Sequence, residues 1–269
     1  MLRMKHETSP CVIMLFICTV VCSVVFISTS GKAEEDRSSQ RVLVATGDPW
    51  PPFADPKDPN LGIGPCILSK ALTSSGSKIQ ILFLPWARAE IATEEGRTDV
   101  LINCAKTESR EERFYFSDPY LKINLILIKR VVDPFVYTDL HSLSGKRVGT
   151  ICGYAYPEHF LNNVTFYKDP VRTVSDNFKK LYANRVDLIV EDELVATRQM
   201  LGMPLDYAKN FEIMPQILAT TNLHIATSRK NPMGRKIIEL FNSKLKVIIS
   251  SGEYQNIMKK YQAKTSSIQ

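Results

Sequence analysis

Hydrophobic and polar positions along this chain alternate between two periods. From Arg41 onward, short runs rich in β-branched residues recur at 42–45, 78–84, 100–103, 125–129, 147–151, 164–167, 188–191 and 223–227. Runs of that length bounded by turn residues predict strands. Between them, apolar residues spaced three and four apart predict helices over 64–75, 86–95, 175–184 and 192–201. A longer helix is expected from Asn231-Pro232, with asparagine as its cap and proline in its first position. Ile237, Phe241, Leu245 and Ile248 line one face of it, which makes that face core. Strands and helices in alternation are the pattern of an α/β protein with a largely parallel sheet.

Two segments echo each other. Glu95-Gly96-Arg97-Thr98-Asp99 and Ala183-Asn184-Arg185-Val186-Asp187 each follow a helix and precede a buried strand. Gly96 and Asn184 suit the left-handed residue that ends a helix. Asp99 and Asp187 read first as turn residues bonding their own backbone, and second as site carboxylates. The chain is thus expected to hold two similar lobes. Pro134 sits in a segment, 130–137, that could cross between them, and the short connection suggests a hinge.

The first 33 residues are set aside before composition is weighed. Arg3 and Lys5 precede an apolar run over 11–27, and Gly31 with Ala33 supply the small residues of an export cleavage site. Cleavage after Ala33 is expected, with an uncleaved membrane anchor as the alternative. Cys18 and Cys22 follow Ile17 and Val21, where lipid attachment needs a small residue. The whole chain of 269 residues carries 34 basic and 28 acidic side chains, a net +6. Three basic residues and one acidic residue belong to the leader, so the exported part holds 31 against 27, a net +4. That small excess, without a basic run, speaks against a nucleic-acid groove. Three of six cysteines remain, Cys66, Cys104 and Cys152, too few for a disulfide scaffold.

Four stretches carry a resemblance. They are Val42-Leu43-Val44-Ala45-Thr46-Gly47-Asp48-Pro49-Trp50-Pro51-Pro52-Phe53, then Phe83-Leu84-Pro85-Trp86-Ala87-Arg88, then Gly96-Arg97-Thr98-Asp99, and finally the run 107–120. The last has the form T-x-x-R-x-x-x-x-x-F-S-x-P-Y, from Thr107 and Arg110 to Phe116-Ser117 and Pro119-Tyr120. Together they resemble the bacterial extracellular solute-binding proteins of the polar amino-acid type, family 3, and the likeness continues to about Tyr261. It implies a two-lobed periplasmic-binding-protein fold of type II, each lobe a mainly parallel sheet flanked by helices. Lobe 1 would comprise 41–129 plus 221–265 and lobe 2 would comprise 130–220. A monomer in the periplasm would close on a small ligand and deliver it to an inner-membrane ABC permease, with no cofactor.

The resemblance also implies a site. Arg110 stands where the family's carboxylate-binding arginine stands, and a planar guanidinium matches the two oxygens of a carboxylate. The alternative is a salt bridge to Glu111 or Glu112, which is also the default for Arg113. Trp50 and Trp86 fall where relatives place aromatic walls, suited to an apolar or cationic group. Phe53 and Tyr120 belong beside them or in the core. Asp192 follows the strand at 188–190 where the family holds an ammonium-binding acid, with a helix cap as the other reading. Ala105 lines the pocket, and Gly153 and Tyr154, in the turn 149–154, could clamp an anion through free amides. Asp48 stands one step past the position where an acidic residue is common. Lys106 or Arg88 would favour an extra carboxylate on the ligand, unless they face solvent. Export and neighbouring positions suggest a Cys66–Cys104 disulfide.

Two other functions share this fold. Some periplasmic dehydratases use it, yet His141, His159 and His224 are scattered and no metal or nucleophile spacing occurs. Signalling receptors also use these lobes as input domains. With no second apolar span before Gln269, a free binding protein is expected.

Overall fold

The computed structural model describes residues 42–74 and 76–266, with side chains up to 261. The leader and its cleavage point lie outside the described residues. In chain order the first part runs β1 (Val42–Gly47), α1 (Ile63–Thr73), β2 (Lys78–Phe83), α2 (Trp86–Glu94), β3 (Val100–Ala105), α3 (Glu108–Glu111) and β4 (Phe114–Phe116). The middle part runs β5 (Leu121–Arg130), β6 (Arg147–Ile151), α4 (Glu158–Leu161), β7 (Tyr167–Val171), α5 (Val174–Tyr182), β8 (Leu188–Asp192), α6 (Glu193–Leu201) and α7 (Leu205–Ala208). Strand β9 (Phe211–Ser228) and helices α8 (Gly234–Ser250) and α9 (Glu253–Ser266) complete it.

One mixed sheet unites the strands in the order β2-β1-β3-β9-β5-β8-β6-β7, with β4 paired to β9. At one end β1 pairs parallel with β2 and β3, and at the other β6 pairs parallel with β7 and β8. These are the two lobes. Between them β5 and β9 run antiparallel, and their register shifts at Leu125/Ile126 and Ile126/Ile128. Those bulges bend and twist the pair where one lobe gives way to the other.

The core of the first lobe has two faces. Val100 and Ile102 of β3 pack with Ile63, Ile67 and Leu68 of α1, and with Ile237, Phe241, Leu245 and Ile248 of α8, as the helical spacing predicted. Leu101 and Cys104 point to the opposite face, against Trp86 and Ala89 of α2 and Phe114. The sheet therefore stands between Cys66 and Cys104. Both are buried free thiols, so the expected disulfide is replaced by two packed cysteines on opposite faces.

The echo has a structural purpose. Gly96 and Asn184 both take the left-handed conformation, with φ of 77° and 55°. Asp99 Oδ2 accepts the Val44 amide at 3.0 Å, and Asp187 Oδ2 accepts the Arg147 amide at 2.7 Å. Each aspartate thus ties a parallel neighbour, β1 or β6, and neither lines the cavity between the lobes.

Several boundaries differ from the sequence pattern for local reasons. The strand expected at 164–167 lies at Tyr167–Val171, because Val164 is exposed and Phe166 turns into the core. It contains Pro170, tolerated because β7 is an edge strand. Asn231 closes a turn onto the Met233 amide, and α8 starts later, at Gly234. The run 223–227 is the end of an 18-residue strand, β9. The crossing between lobes is made by β5 and β9 instead of by residues 130–137.

Candidate functional site

The site forms where the carboxyl ends of β1 and β3 meet the turn after β6. Ligands of open α/β sheets dock at such strand ends. Thr107 caps α3, its hydroxyl oxygen accepting the Arg110 amide, and this one-turn helix sends the Arg110 side chain back under β3. There Arg110 is 6% exposed. It donates to the Ala105 carbonyl at 3.1 Å, to Glu90 Oε2 at 3.0 Å and to the Gly153 carbonyl at 3.0 Å. Its carbon lies 4.9 Å from the centre of the Trp86 ring. The ion-pair partner is therefore Glu90 rather than Glu111 or Glu112. Arg113, partly exposed, donates to Glu90 Oε1 and Glu94 Oε2, both at 2.6 Å. Burial works against ionised Glu90, yet the two guanidinium groups hold it below the usual carboxylate range.

Aromatic side chains build the walls. Trp50 is buried, 4.8 Å from the Phe53 ring and 5.7 Å, edge to face, from Tyr154. Trp86 meets Tyr154 edge to face at 6.5 Å. Gly153 has φ of 78°, and a Cβ there would stand 3.0 Å from Trp86 Cδ1, so glycine alone lets the turn lie on that ring. The Trp86 indole N–H is buried and has no hydrogen-bond partner among the described residues.

Three cross-lobe hydrogen bonds draw the cleft shut: Arg110 to Gly153, Tyr154 Oη to Asp48 Oδ2 at 3.0 Å, and Trp50 Nε1 to Glu191 Oε1 at 3.2 Å. The cavity between them measures about 40 Å³, room for about three water molecules. Asp48, Trp50, Trp86, Ala105, Arg110 and Tyr154 all line it.

Three residues named from the sequence take other places. Phe53 packs behind Trp50 in the core. Gly153 presents its carbonyl, not an amide, to the guanidinium, and the amides of Cys152 and Tyr154 bond Val171 and Ile151. Asp192 caps α6: Oδ1 accepts the Leu194 and Val195 amides, and Oδ2 accepts the Asn124 amide from β5. Burial still raises its carboxyl to about 6. Lys106 pairs with Glu111 at the surface, Arg88 is exposed, and neither lines the cavity.

The structure adds residues that the sequence pattern missed. Glu90 lies one helical turn beyond Trp86 on α2, so the i, i+4 rule could have placed it on the same face. Asn103 lines the cavity in a left-handed conformation, φ 54°, and Tyr120 holds it there. The Tyr120 hydroxyl accepts the Asn103 amide at 3.1 Å and donates to Asn103 Oδ1 at 2.6 Å. Glu191 is 2% exposed, and burial first, then the charges of Asp192 and Asp48, push its carboxyl to about 8. Its Oε2 has no hydrogen-bond partner among the described residues. Asp48 keeps part of its surface exposed while protein surrounds its carboxyl, which burial lifts to about 6 against the Tyr154 hydrogen bond.

The sequence profile of the bacterial extracellular solute-binding proteins, family 3, matches residues 42–264. The chain belongs to that family. A probable histidine-binding protein of Neisseria gonorrhoeae is 23% identical over 259 residues, covering 91% of this chain and 94% of the relative. Among solved structures, the arginine-bound amino-acid ABC transporter substrate-binding protein AbpA of Streptococcus pneumoniae superposes with a TM-score of 0.73 at 18% identity, over 86% of this chain and 98% of the other. Holo ArgBP of T. maritima gives 0.68 at 21%, over 84% and 98%. A histidine kinase sensor domain gives 0.73 at 19%, over 84% and 97%. These likenesses show the two-lobed periplasmic-binding fold of a solute-binding family member. Among the described residues no helix is long and apolar enough to cross a membrane, and no cluster of His, Cys, Asp or Glu could hold a metal ion.

Proposed function

We propose that this solute-binding protein is a periplasmic monomer that captures an amino acid or a related zwitterion and hands it to an ABC permease of the inner membrane, its leader being removed after Ala33. The observation that carries this reading is Arg110, a buried guanidinium whose lobe-2 partner is only the Gly153 carbonyl. A ligand carboxylate offers a charged acceptor in place of that neutral one, and charge-assisted bonds are roughly twice as strong. The orphan Trp86 N–H stands beside Arg110 as a further donor. Trp50 and Tyr154 would then flank the rest of the ligand.

Lobe 1 is residues 41–129 with 221–265 and lobe 2 is 130–220, hinged at the bulged pairing of β5 with β9. Opening there breaks the three cross-lobe hydrogen bonds and admits the ligand, and closing remakes them around it. A ligand that touches both lobes favours the closed form by its extra contacts. Asp192 keeps three of about four lone-pair directions on backbone amides. It shapes the lobe-2 edge by doing so. The site binds and does no chemistry in this reading, which a single screen tests. Thermal unfolding of the purified protein with amino acids, dicarboxylates, opines and polyamines should show a raised midpoint with an amino acid. Stabilisation by none of them, or consumption of a prephenate-like compound, would refute it.

A further inference from the structure

Charge is unevenly placed along residues 130–220. Positions 146–185 hold seven basic side chains against three acidic, whereas the rest of that span holds three against eight. The basic excess gathers along α5. Arg172 follows β7, Lys179 and Lys180 lie on α5 one turn beyond Asp176, and Arg185 follows the helix. All five side chains line one open groove of about 540 Å³, within the range of small-molecule sites, about 300–1,000 Å³. It shares no lining residue with the cavity at Arg110.

Local pairing leaves this groove positive. Lys179 Nζ reaches Asp176 at 3.0 Å and Lys180 Nζ reaches Asp169 at 2.7 Å. Asp176, the acidic side chain in the lining, is further engaged by the Thr173 hydroxyl, so it has little left to offer a neighbouring cation. Arg172 and Arg185 are exposed and form no ion pair among the described residues. A concave surface lined by one sign of charge focuses its field and gathers counter-ions. Each guanidinium adds geometry to that field, since its planar fork of donors matches the oxygens of a phosphate or a carboxylate.

We infer that the groove along α5 is a binding site for a phosphate-bearing anion, separate from the inter-lobe cleft. A phosphate monoester brings about −1.5 to −2 charges and three acceptor oxygens, which answers two uncompensated guanidinium groups better than a single carboxylate does. No aromatic ring lines the groove among the described residues, so it reads charge and does not stack a base. That chemistry is shared by free polyphosphates and by the headgroups of anionic phospholipids.

Inorganic tripolyphosphate probes the free anion, by isothermal titration at pH 7.5 and low ionic strength, where screening is weak. R172Q/R185Q should weaken its binding by about ten-fold or more, the fold-change of one charge-assisted hydrogen bond. Both arginines are exposed, so the core is untouched, and the thermal midpoint reports folding. K57Q/K230Q removes two exposed charges elsewhere and should leave binding within about three-fold. Sedimentation with vesicles of phosphatidylglycerol, against phosphatidylcholine alone, separates the sources. Pelleting with phosphatidylglycerol that R172Q/R185Q abolishes supports the site with a lipid headgroup as its ligand, and tripolyphosphate binding without pelleting supports it with a free anion. Binding in neither arm, affinity unchanged in R172Q/R185Q, an equal loss in K57Q/K230Q, or citrate binding as tightly as tripolyphosphate overturns the site. Because the two cavities share no residue, none of these results bears on the amino-acid reading of the cleft.

Discussion

Replacing Arg110 with alanine separates what its guanidinium does for folding from what it does for binding. Removing one partner of a buried ion pair costs about 3–5 kcal/mol when the other charge is left alone. Here it is not left alone, because Arg113 still donates to Glu90 at 2.6 Å. What the fold loses is two hydrogen bonds to carbonyls, at Ala105 and Gly153, and the contact with Trp86. Those losses amount to about 1–3 kcal/mol, a drop that a family member of ordinary stability survives folded. The ligand loses more, a buried charged partner worth about 2–4 kcal/mol, or about 30- to 1,000-fold in Kd. The assay is isothermal titration with the amino acid that stabilises the native protein most, with circular dichroism to confirm folding. Arg113→Ala is the control: it shares Glu90 but lies outside the cavity, so its Kd should stay within about three-fold, as for other exposed pairs. An unchanged Kd for Arg110→Ala, or an equal loss for Arg113→Ala, would refute the assignment.

Gly153→Ala places a methyl 3.0 Å from Trp86 on a backbone with φ of 78°, so cleft closure should become harder by about 1–3 kcal/mol and ligand affinity should fall in titration by about ten-fold or more. Asp192→Ala removes the cap of α6 and the acceptor for Asn124; denaturant unfolding should show a loss of about 1–2 kcal/mol, while Asp192→Asn keeps most of it. In the folded protein Glu191 rises from 4.5 to about 8, and Asp48 and Asp192 from 3.8 to about 6. The native state therefore holds more protons than the unfolded chain through this range, and the stability these groups lend at low pH is lost as pH climbs to 8. The thermal midpoint of ligand-free protein should fall between pH 5 and pH 8, E191Q should flatten the upper part of that fall, and a rising midpoint would contradict the assignment. Cys152 is exposed while Cys66 and Cys104 are buried, with burial pushing Cys104 to about 12; of these three thiols beyond the leader, Cys152 alone should react with an alkylating reagent in native protein and all three after unfolding.

The parts legible in the sequence are those encoded by local physics. Short β-branched runs became β1, β3, β6 and β8, and the apolar stripe of α8 became core, because run length, bounding turn residues and period together tell a strand from a helix face. Gly96 and Asn184 announced their left-handed turns for the same reason. The fused strand β9 was not legible beyond its last residues, since residues 212–222 are mostly polar or partly exposed, and pairing with β5 holds them extended. Pro170 hid β7, because whether a proline is tolerated depends on which side of the strand is an edge.

The sequence by itself determined the family, the order of the α/β units and the presence of an arginine and two tryptophans in motifs far apart along the chain. Tertiary structure alone decided what each polar group faces. Glu90 reaches Arg110 across 20 positions, Glu191 reaches Trp50 across 141, and Tyr154 reaches Asp48 across 106. Asp192 and Glu191 show the division most plainly. They are adjacent acidic residues at the end of one strand, and composition cannot rank them. Successive side chains of a strand point to opposite faces, so one caps a helix while its neighbour is buried at the cleft.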